Sequence, residues 1–246
     1  MPLAVQGGSM LPPFCYKAFI YNSSTCHVEE FMYNRNMVGD IAHICNRGVE
    51  KRKIFLDTKD YKRFIENLYF LNNKKGKLIT EKKNIFQIPH LLPKQDKLVE
   101  ILKWTIMPNH YHLLLYEVVD GGILEFTKRV GNAYTKYFNI KTEGRSGYLF
   151  QNSAKILRIK ESRHYLYIPF YIDLNILDLE ISKNRDVLDL LMSYEWSSFR
   201  DYYNESKYLP IINREIFYKN FDFNKESYKK QLLDLPGRGV EDMIKI

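Results

Sequence analysis

The chain has 246 residues, of which 45% are hydrophobic, so it can bury a sizeable core and is not an intrinsically disordered chain. Its formal net charge of +8 favours an anionic partner, most often a nucleic acid. No run approaches the ~20 apolar residues of a membrane span, and the N-terminal residues do not form a signal-peptide pattern, so we expect no membrane association.

The 19 Tyr and 15 Phe residues are interleaved with Lys and Arg. Such rings suit stacking on unpaired bases, and they suit ordinary core and rim positions equally well. Cys15, Cys26 and Cys45 are widely spaced and odd in number, which predicts neither a disulfide framework nor a cysteine zinc site. Free thiols are typical of a reducing compartment, and we therefore expect a cytoplasmic protein.

Hydrophobic periodicity and turn signals divide the chain into alternating strands and helices after a poorly ordered N-terminal extension over 1–36. In the first part of the chain we expect a strand over Val38–Arg47, a helix that reaches Leu71 after N-cap candidates in Asp57–Asp60, and a lysine-rich insertion over 72–95 with room for a hairpin at 77–88. Two strands follow, one over Leu98–Ile106 and one that starts at His110, and then a helix opened by Gly121-Gly122. The last part is predicted to contain a strand over Tyr148–Ile159, a helix capped by Ser162 and helical pieces from Val187 onward. This alternation indicates an α+β fold with a mainly antiparallel sheet.

His110 and His112 are the most informative pair in the sequence, and they follow the turn signal Met107-Pro108-Asn109. Residues i and i+2 of a strand project from the same face, so both imidazoles can bind one metal ion while Tyr111 and Leu113 face the other side. The alternative is two half-exposed histidines on a sheet surface, which a bare His-x-His pattern does not exclude.

Tyr171 and Asn175 lie one turn apart on the predicted third helix. If that face opposes the histidines, the Asn175 carboxamide oxygen supplies a third ligand and the Tyr171 phenol lies beside the same ion. Two imidazoles and a carboxamide oxygen suit Mg²⁺ or Mn²⁺ with positions left for phosphate oxygens, and the phenolate is then a nucleophile. The residue pattern alone does not separate Tyr171 from its neighbours Tyr165 and Tyr167.

Five segments occur in a characteristic order: Asn46-Arg47-Gly48, Met107–Leu115, Gly147–Gln151, Tyr171–Asn175 and Tyr194–Phe199. They resemble, in turn, the opening motif, the His-hydrophobe-His signature, the Gly-x-Leu-Trp-Gln element, the Tyr-Ile-x-Leu-Asn of the catalytic helix and the Trp-Ser-Ser-Tyr tail of single-tyrosine HUH transposases. Within these, the pattern is most similar to REP-associated tyrosine transposases, relatives of the insertion-sequence 200/605 group. The resemblance covers about Val38 to Tyr203.

The resemblance implies a ferredoxin-like palm in a catalytic domain over 37–180, followed by a helical C-terminal extension over 181–246. It implies a monomer or homodimer that cleaves single-stranded DNA beside a hairpin, forms a 5′-phosphotyrosine and releases a 3′ hydroxyl that can later reseal the strand without ATP. It assigns His110, His112 and Asn175 as ligands of Mg²⁺ or Mn²⁺ and Tyr171 as the nucleophile.

Three departures from the family pattern bear on activity. Ile176–Glu180 is acidic where the family has Pro-Val-Arg-Ala-Gly, Pro169 lies two residues before the nucleophile, and Gln151–Lys155 lacks the usual arginine. The alternative function is therefore a decayed or repurposed copy that binds hairpin DNA or RNA without cutting it. A third hypothesis is an unrelated two-histidine phosphodiesterase that uses a metal-bound water, although the sequence lacks a second His-x-Thr/Ser motif.

Arg47, Lys51, Arg52 and Lys155 are candidate contacts to DNA phosphates, because Arg presents a forked donor set and clustered cations attract the backbone. The alternative for each is an ordinary solvated surface residue. His43, on the first strand, is interpreted as a packed core histidine near the same sheet face.

Overall fold

A computed structural model of the chain describes residues 38–75, 95–160, 162–179, 185–203 and 211–235. The predicted N-terminal extension and the hairpin at 77–88 lie outside these described residues, as do Cys15 and Cys26. Cys45 is a free thiol.

The described elements alternate between strands and helices. In chain order they are β1 (Ile41–Arg47), α1 (Thr58–Phe70), β2 (Val99–Met107), β3 (His110–Glu117), α2 (Gly122–Lys141), β4 (Lys155–Arg158), α3 (Ser162–Leu174), α4 (Val187–Ser193), α5 (Arg214–Phe221) and α6 (Lys225–Asp234), with short 3₁₀ turns at Val49–Lys51, Asn175–Asp178 and Arg200–Tyr202.

The four strands form one sheet in the order β2-β3-β1-β4, and every neighbouring pair is antiparallel. This order, combined with the chain order β1-α1-β2-β3-α2-β4, is the ferredoxin-like arrangement. The predicted α+β class with a mainly antiparallel sheet is therefore confirmed. In the register of β1 against β3, Cys45 lies opposite His112 and Arg47 lies opposite His110.

Helices α1 and α2 cover one face of the sheet. Phe64 of α1 contacts Tyr111 of β3, with ring centroids 4.7 Å apart, and Tyr134 of α2 at 5.2 Å. Tyr111 thus faces these helices, as the alternation along β3 requires, and the two histidines face the other side. Helix α3 packs on that second face against β2 and β3.

The first helix begins where the sequence predicts. Asp57 is its N-cap, and its carboxylate accepts hydrogen bonds from the backbone amides of Lys59 and Asp60. Asp60 completes a capping box by accepting from the amide of Asp57. The second helix begins at Gly122, after Gly121 adopts a left-handed conformation with φ of 71°.

Two predicted strands are shorter in the structure. The first begins at Ile41 and not at Val38, and the strand predicted over Tyr148–Ile159 is reduced to Lys155–Arg158. Leu149 and Phe150 are buried, but the pairing with β1 extends into this segment only through one isolated bridge, between Phe150 and Gly48. Residues 148–154 instead form a loop, attached to β1 by a hydrogen bond of 2.8 Å from the Gln151 amide to the Arg47 carbonyl.

Segments after α3 pair with the free edge of β2. Ser197 forms an antiparallel bridge with Thr105, and Ile212 forms a parallel bridge with Ile101. The helical character of this C-terminal part matches the sequence prediction, whereas the domain boundaries stay a prediction. Within the part of the chain that the structure describes, no helix combines the length and apolar character needed to span a bilayer.

Candidate functional site

The predicted histidine pair lies at the start of β3, immediately after the turn at Pro108 and Asn109. His110 and His112 are only 8% and 4% exposed, so the interpretation as half-exposed surface histidines is wrong. Their ring centroids are 5.0 Å apart. Nδ1 of His110 is 2.5 Å from Oδ1 of Asn109, which leaves Nε2 of His110 as the nitrogen available to a ligand.

Helix α3 brings Tyr171 and Asn175 to this pair. The Tyr171 ring meets the His112 ring edge to face, with centroids 5.4 Å apart. Asn175 follows the last residue of α3, and its Nδ2 donates a 2.7 Å hydrogen bond to the Tyr171 carbonyl. Because the amide nitrogen is occupied in this way, the Oδ1 atom of Asn175 is the end that remains for the imidazoles or for a cation.

The two other tyrosines of α3 lie elsewhere. Tyr165 contacts Phe221 of α5, with ring centroids 5.7 Å apart, and Tyr167 packs among the partly buried hydrophobic residues. One helix continues from Ser162 to Leu174 through Pro169, which has no amide hydrogen to donate to the Tyr165 carbonyl. Of these three tyrosines, Tyr171 is the one in ring contact with the histidines.

His43 of β1 also belongs to this cluster, more closely than the sequence indicated. Its Nε2 is 2.8 Å from Nδ1 of His112, and its ring meets that of Tyr171 edge to face at 5.6 Å. His43 is 3% exposed. Its alternation with Cys45 along β1 placed it on the correct face, but only the pairing of β1 with β3 brings it to His112.

The electrostatic surroundings keep the histidines neutral. Burial lowers the pKa of His43 to about 3, and the charge of Lys155 acts in the same direction. Burial and the charge of Arg47 lower the pKa of His110 to about 4, against an opposing effect of the Asn175 carboxamide. Burial is the largest cause that lowers the pKa of His112 well below its ordinary value; protonation of His43 or His110 and the charge of Arg47 act in the same direction, against an opposing effect of the Asn175 carboxamide. Neutral imidazoles offer lone pairs, which is the form that binds metals.

One buried atom in the cluster lacks a partner. Nε2 of His112 is inaccessible to solvent and makes no hydrogen bond with any described residue. A buried polar atom left unsatisfied costs about 1–3 kcal/mol, so such an atom calls for an explanation. A cation held by His110, His112 and Oδ1 of Asn175 would satisfy it. The donor set of two imidazoles and an amide oxygen fits Mg²⁺ or Mn²⁺ with open positions.

No group of three or more His, Cys, Asp or Glu side chains within the described ranges is arranged to hold a metal ion. His43 therefore does not complete a three-imidazole site. The fit of a cation here depends on the Asn175 oxygen as the third protein ligand.

The candidate DNA-binding residues fall into two groups. Arg47 and Lys155 act electrostatically on the histidines, so their charges lie near the site. Lys51 and Arg52 lie in the turn after β1, where Arg52 forms an exposed ion pair with Glu50 at 3.3 Å. The Asn109 side chain donates to the Lys51 carbonyl at 3.2 Å, which links this turn to the histidine hairpin.

Sequence reasoning missed a second buried polar cluster, which includes a residue of helix α3. Lys103 of β2 and Asp173 of α3 form an ion pair in which neither side chain is exposed, and Tyr228 of α6 donates to the same carboxylate at 2.6 Å. A lysine in the middle of a strand whose neighbours are mostly apolar was the available signal. Asp173 lies on the turn of α3 that separates Tyr171 from Asn175.

Neither a family model nor a curated protein matches the sequence. Among solved structures, the chain is similar to a REP-associated tyrosine transposase bound to a REP hairpin, with 14% sequence identity and a TM-score of 0.43. The alignment covers 68% of this chain and 80% of that one.

Proposed function

We propose that this protein is a metal-dependent enzyme that cuts and rejoins single-stranded DNA beside hairpins through a tyrosine nucleophile. The observation that carries the proposal is the convergence of four side chains from two distant segments. His110 and His112 come from β3 and Tyr171 and Asn175 from α3, and together they combine a metal-ligand set with a phenol. The resemblance in sequence motifs and the net charge of +8 support DNA as the substrate.

In the proposed reaction, the Tyr171 oxygen attacks a backbone phosphorus, forming an O–P bond and breaking the bond to the 3′ oxygen. The phenol loses its proton and the departing 3′ oxygen gains one, so a 5′-phosphotyrosine and a 3′ hydroxyl result. The reverse attack by a 3′ hydroxyl rejoins the strand, because the covalent link conserves the bond energy. A bound Mg²⁺ or Mn²⁺ would polarise the phosphate and offset its developing negative charge.

The chain's own residues perform the positioning. The hydrogen bond from Asn175 to the Tyr171 carbonyl ties the third ligand to the backbone of the nucleophile, so ligand and nucleophile move together. The three ligands and Tyr171 lie on a strand and at a helix end, where geometry is held better than on loops. The charge of Arg47 beside His110 would attract the scissile phosphate.

A covalent-adduct assay tests the proposal. Incubation with Mn²⁺ and an end-labelled hairpin oligonucleotide carrying a single-stranded flank should give a protein–DNA adduct that survives SDS. Tyr171→Phe should lose the adduct and retain hairpin binding, while His112→Ala should lose it in the same way. Tyr165→Phe serves as the matched control and should form adduct like the wild type, since this ring lies against Phe221.

Other outcomes identify other functions. Cleavage without an adduct would indicate a phosphodiesterase that uses a metal-bound water, and adduct formation by Tyr171→Phe would move the nucleophile to Tyr165 or Tyr167. Binding of the hairpin with neither adduct nor cleavage, at any Mn²⁺ concentration, would indicate a non-catalytic binder. That second candidate is favoured by one observation, namely that the exposed Asp178 follows the third ligand where the family motif has a basic stretch.

A further inference from the structure

We infer that His43 is a positioning residue, whose Nε2 accepts the Nδ1 proton of His112 and thereby presents Nε2 of His112 to the metal. The inference rests on the proposed function, because it concerns the same site. It goes beyond that function by assigning a role to a third histidine that is neither a ligand nor a nucleophile.

The geometry of the two rings carries the inference. Their planes differ by only 6°, their centroids are 5.1 Å apart, and the nitrogens Nε2 of His43 and Nδ1 of His112 are 2.8 Å apart. If the two imidazoles were stacked face to face with these nitrogens 2.8 Å apart, their centroids would be closer together than 5.1 Å. The two imidazole rings therefore lie edge to edge in almost the same plane. An in-plane N–H···N contact is the arrangement of a well-formed hydrogen bond between imidazoles.

The direction of this hydrogen bond follows from the site. A neutral imidazole has one donor and one acceptor nitrogen, and a metal takes the acceptor. If Nε2 of His112 binds a cation, its proton must be on Nδ1, and that proton points at His43. His43 then accepts through Nε2 and carries its own proton on Nδ1. Partners of this kind, which fix the tautomer and orientation of a ligand histidine, typically change metal affinity 10- to 100-fold.

His43 reaches His112 through the sheet and not through the local sequence. It lies opposite Leu114 in the register of β1 and β3, so it is a diagonal neighbour of His112 on the same face. The Tyr171 ring stands nearly perpendicular to both imidazoles, at 83° and 89°. His43 thus borders the nucleophile's ring as well as bonding the ligand, and substitutions can separate the two contacts.

Calorimetric titration of the full chain with MnCl₂ provides the test. His43→Phe keeps an aromatic ring beside Tyr171 but removes the acceptor, and it should weaken Mn²⁺ binding about 10- to 100-fold. His43→Gln places an amide oxygen near the position of Nε2 and should recover most of the affinity. Cys45 lies on the same strand as His43 and opposite His112, and Cys45→Ser should bind Mn²⁺ like the wild type. Circular dichroism before each titration identifies any variant that fails to fold.

A second measurement reads the tautomers directly in the wild-type protein and uses a variant only for signal assignment. Long-range ¹H–¹⁵N spectra of the Mg²⁺-saturated protein, with the His112 signals assigned by their loss in His112→Gln, report which nitrogen carries the proton. We expect the proton on Nδ1 of His112 and also on Nδ1 of His43. A proton on Nε2 of His112 in that state would overturn the inference.

The titrations also distinguish the failure of this inference from failure of the proposed site. If His110→Ala and His112→Ala bind Mn²⁺ like the wild type, or the wild type does not bind it, the metal site itself is wrong. If those two variants lose binding while His43→Phe binds like the wild type, only the role of His43 is refuted. Equal weakening by His43→Phe and His43→Gln would reduce His43 to a packing residue.

Discussion

The buried ion pair between Lys103 and Asp173 gives the sharpest prediction about stability. The Lys103 ammonium is completely buried, and its nearest charge is the carboxylate on α3. Aromatic rings surround it, with centroids between 5.0 and 5.9 Å from the nitrogen, and they belong to Phe199, Tyr202, Phe217 and Tyr228. Asp173→Asn leaves this ammonium in the same place without its counter-charge.

Removing one partner of a buried pair costs about 3–5 kcal/mol, because the other charge remains buried and uncompensated. We therefore expect Asp173→Asn to lower the free energy of unfolding by that amount, roughly two to almost four powers of ten in the folding equilibrium. Replacing the whole cluster by apolar groups, as in Lys103→Met with Asp173→Leu and Tyr228→Phe, should be close to neutral. The single and combined variants should thus be strongly non-additive.

The pH dependence of the Asp173→Asn variant has a definite sign. Burial lowers the pKa of Lys103, and Asp173 opposes this, so the substitution removes the opposing influence. The unfolded chain, with a lysine pKa of about 10.4, then binds more protons than the folded chain over the interval between the two pKa values. Stability accordingly rises with pH through that interval, and the deficit of the variant should shrink from pH 7 towards pH 10.

Urea unfolding followed by tryptophan fluorescence measures these values, since Trp104 is buried in β2 next to Lys103. Glu125→Gln is the matched control, because it breaks the exposed pair with Arg129 on α2, in which the side chains are 49% and 24% exposed. Such a pair contributes only about 0.3–0.5 kcal/mol. A loss in Asp173→Asn no larger than in Glu125→Gln, or a deficit that grows with pH, would refute the reasoning.

Three further predictions follow from the packing and charge. A β-carbon at Gly48 would lie 2.6 Å from the Arg52 carbonyl oxygen, so Gly48→Ala should lower the free energy of unfolding by about 1–3 kcal/mol in the same urea assay. A β-carbon at Gly131 on α2 would meet no neighbouring atom within 4 Å, so Gly131→Ala should raise the free energy of unfolding by up to about 1 kcal/mol. Asp57→Ala removes the cap of α1 and should cost about 0.5–2 kcal/mol, with a smaller loss for the Asn replacement. Arg47→Gln should weaken hairpin binding and reduce the slope of log K against log[salt] by about 1, and an unchanged slope would exclude a phosphate contact.

Local signals in the sequence predicted the elements well. The capping residues at Asp57–Asp60 located the start of α1, and the alternation around Tyr111 correctly separated the two faces of β3. The loop at 148–154 was mistaken for strand because its apolar residues satisfied a composition pattern without alternating between faces. The roles of His43 and Lys103 depend on contacts 69 and 70 residues away, which no local pattern contains.

The ion pair and the candidate site are connected through one short stretch of helix. Tyr171 and Asn175 project towards the histidines of β3, while Asp173, between them in sequence, is bound to β2 and to α6. Positions two apart on a helix point to different sides, so the same turn is anchored on one side and presents Tyr171, the proposed nucleophile, on another. Helix α6 is bonded to this turn through the Tyr228 hydroxyl, and we expect that contact to help hold the orientation of Tyr171. Tyr228→Phe should therefore reduce adduct formation more than Mn²⁺ affinity, because two of the three proposed ligands lie on β3 and not on α3.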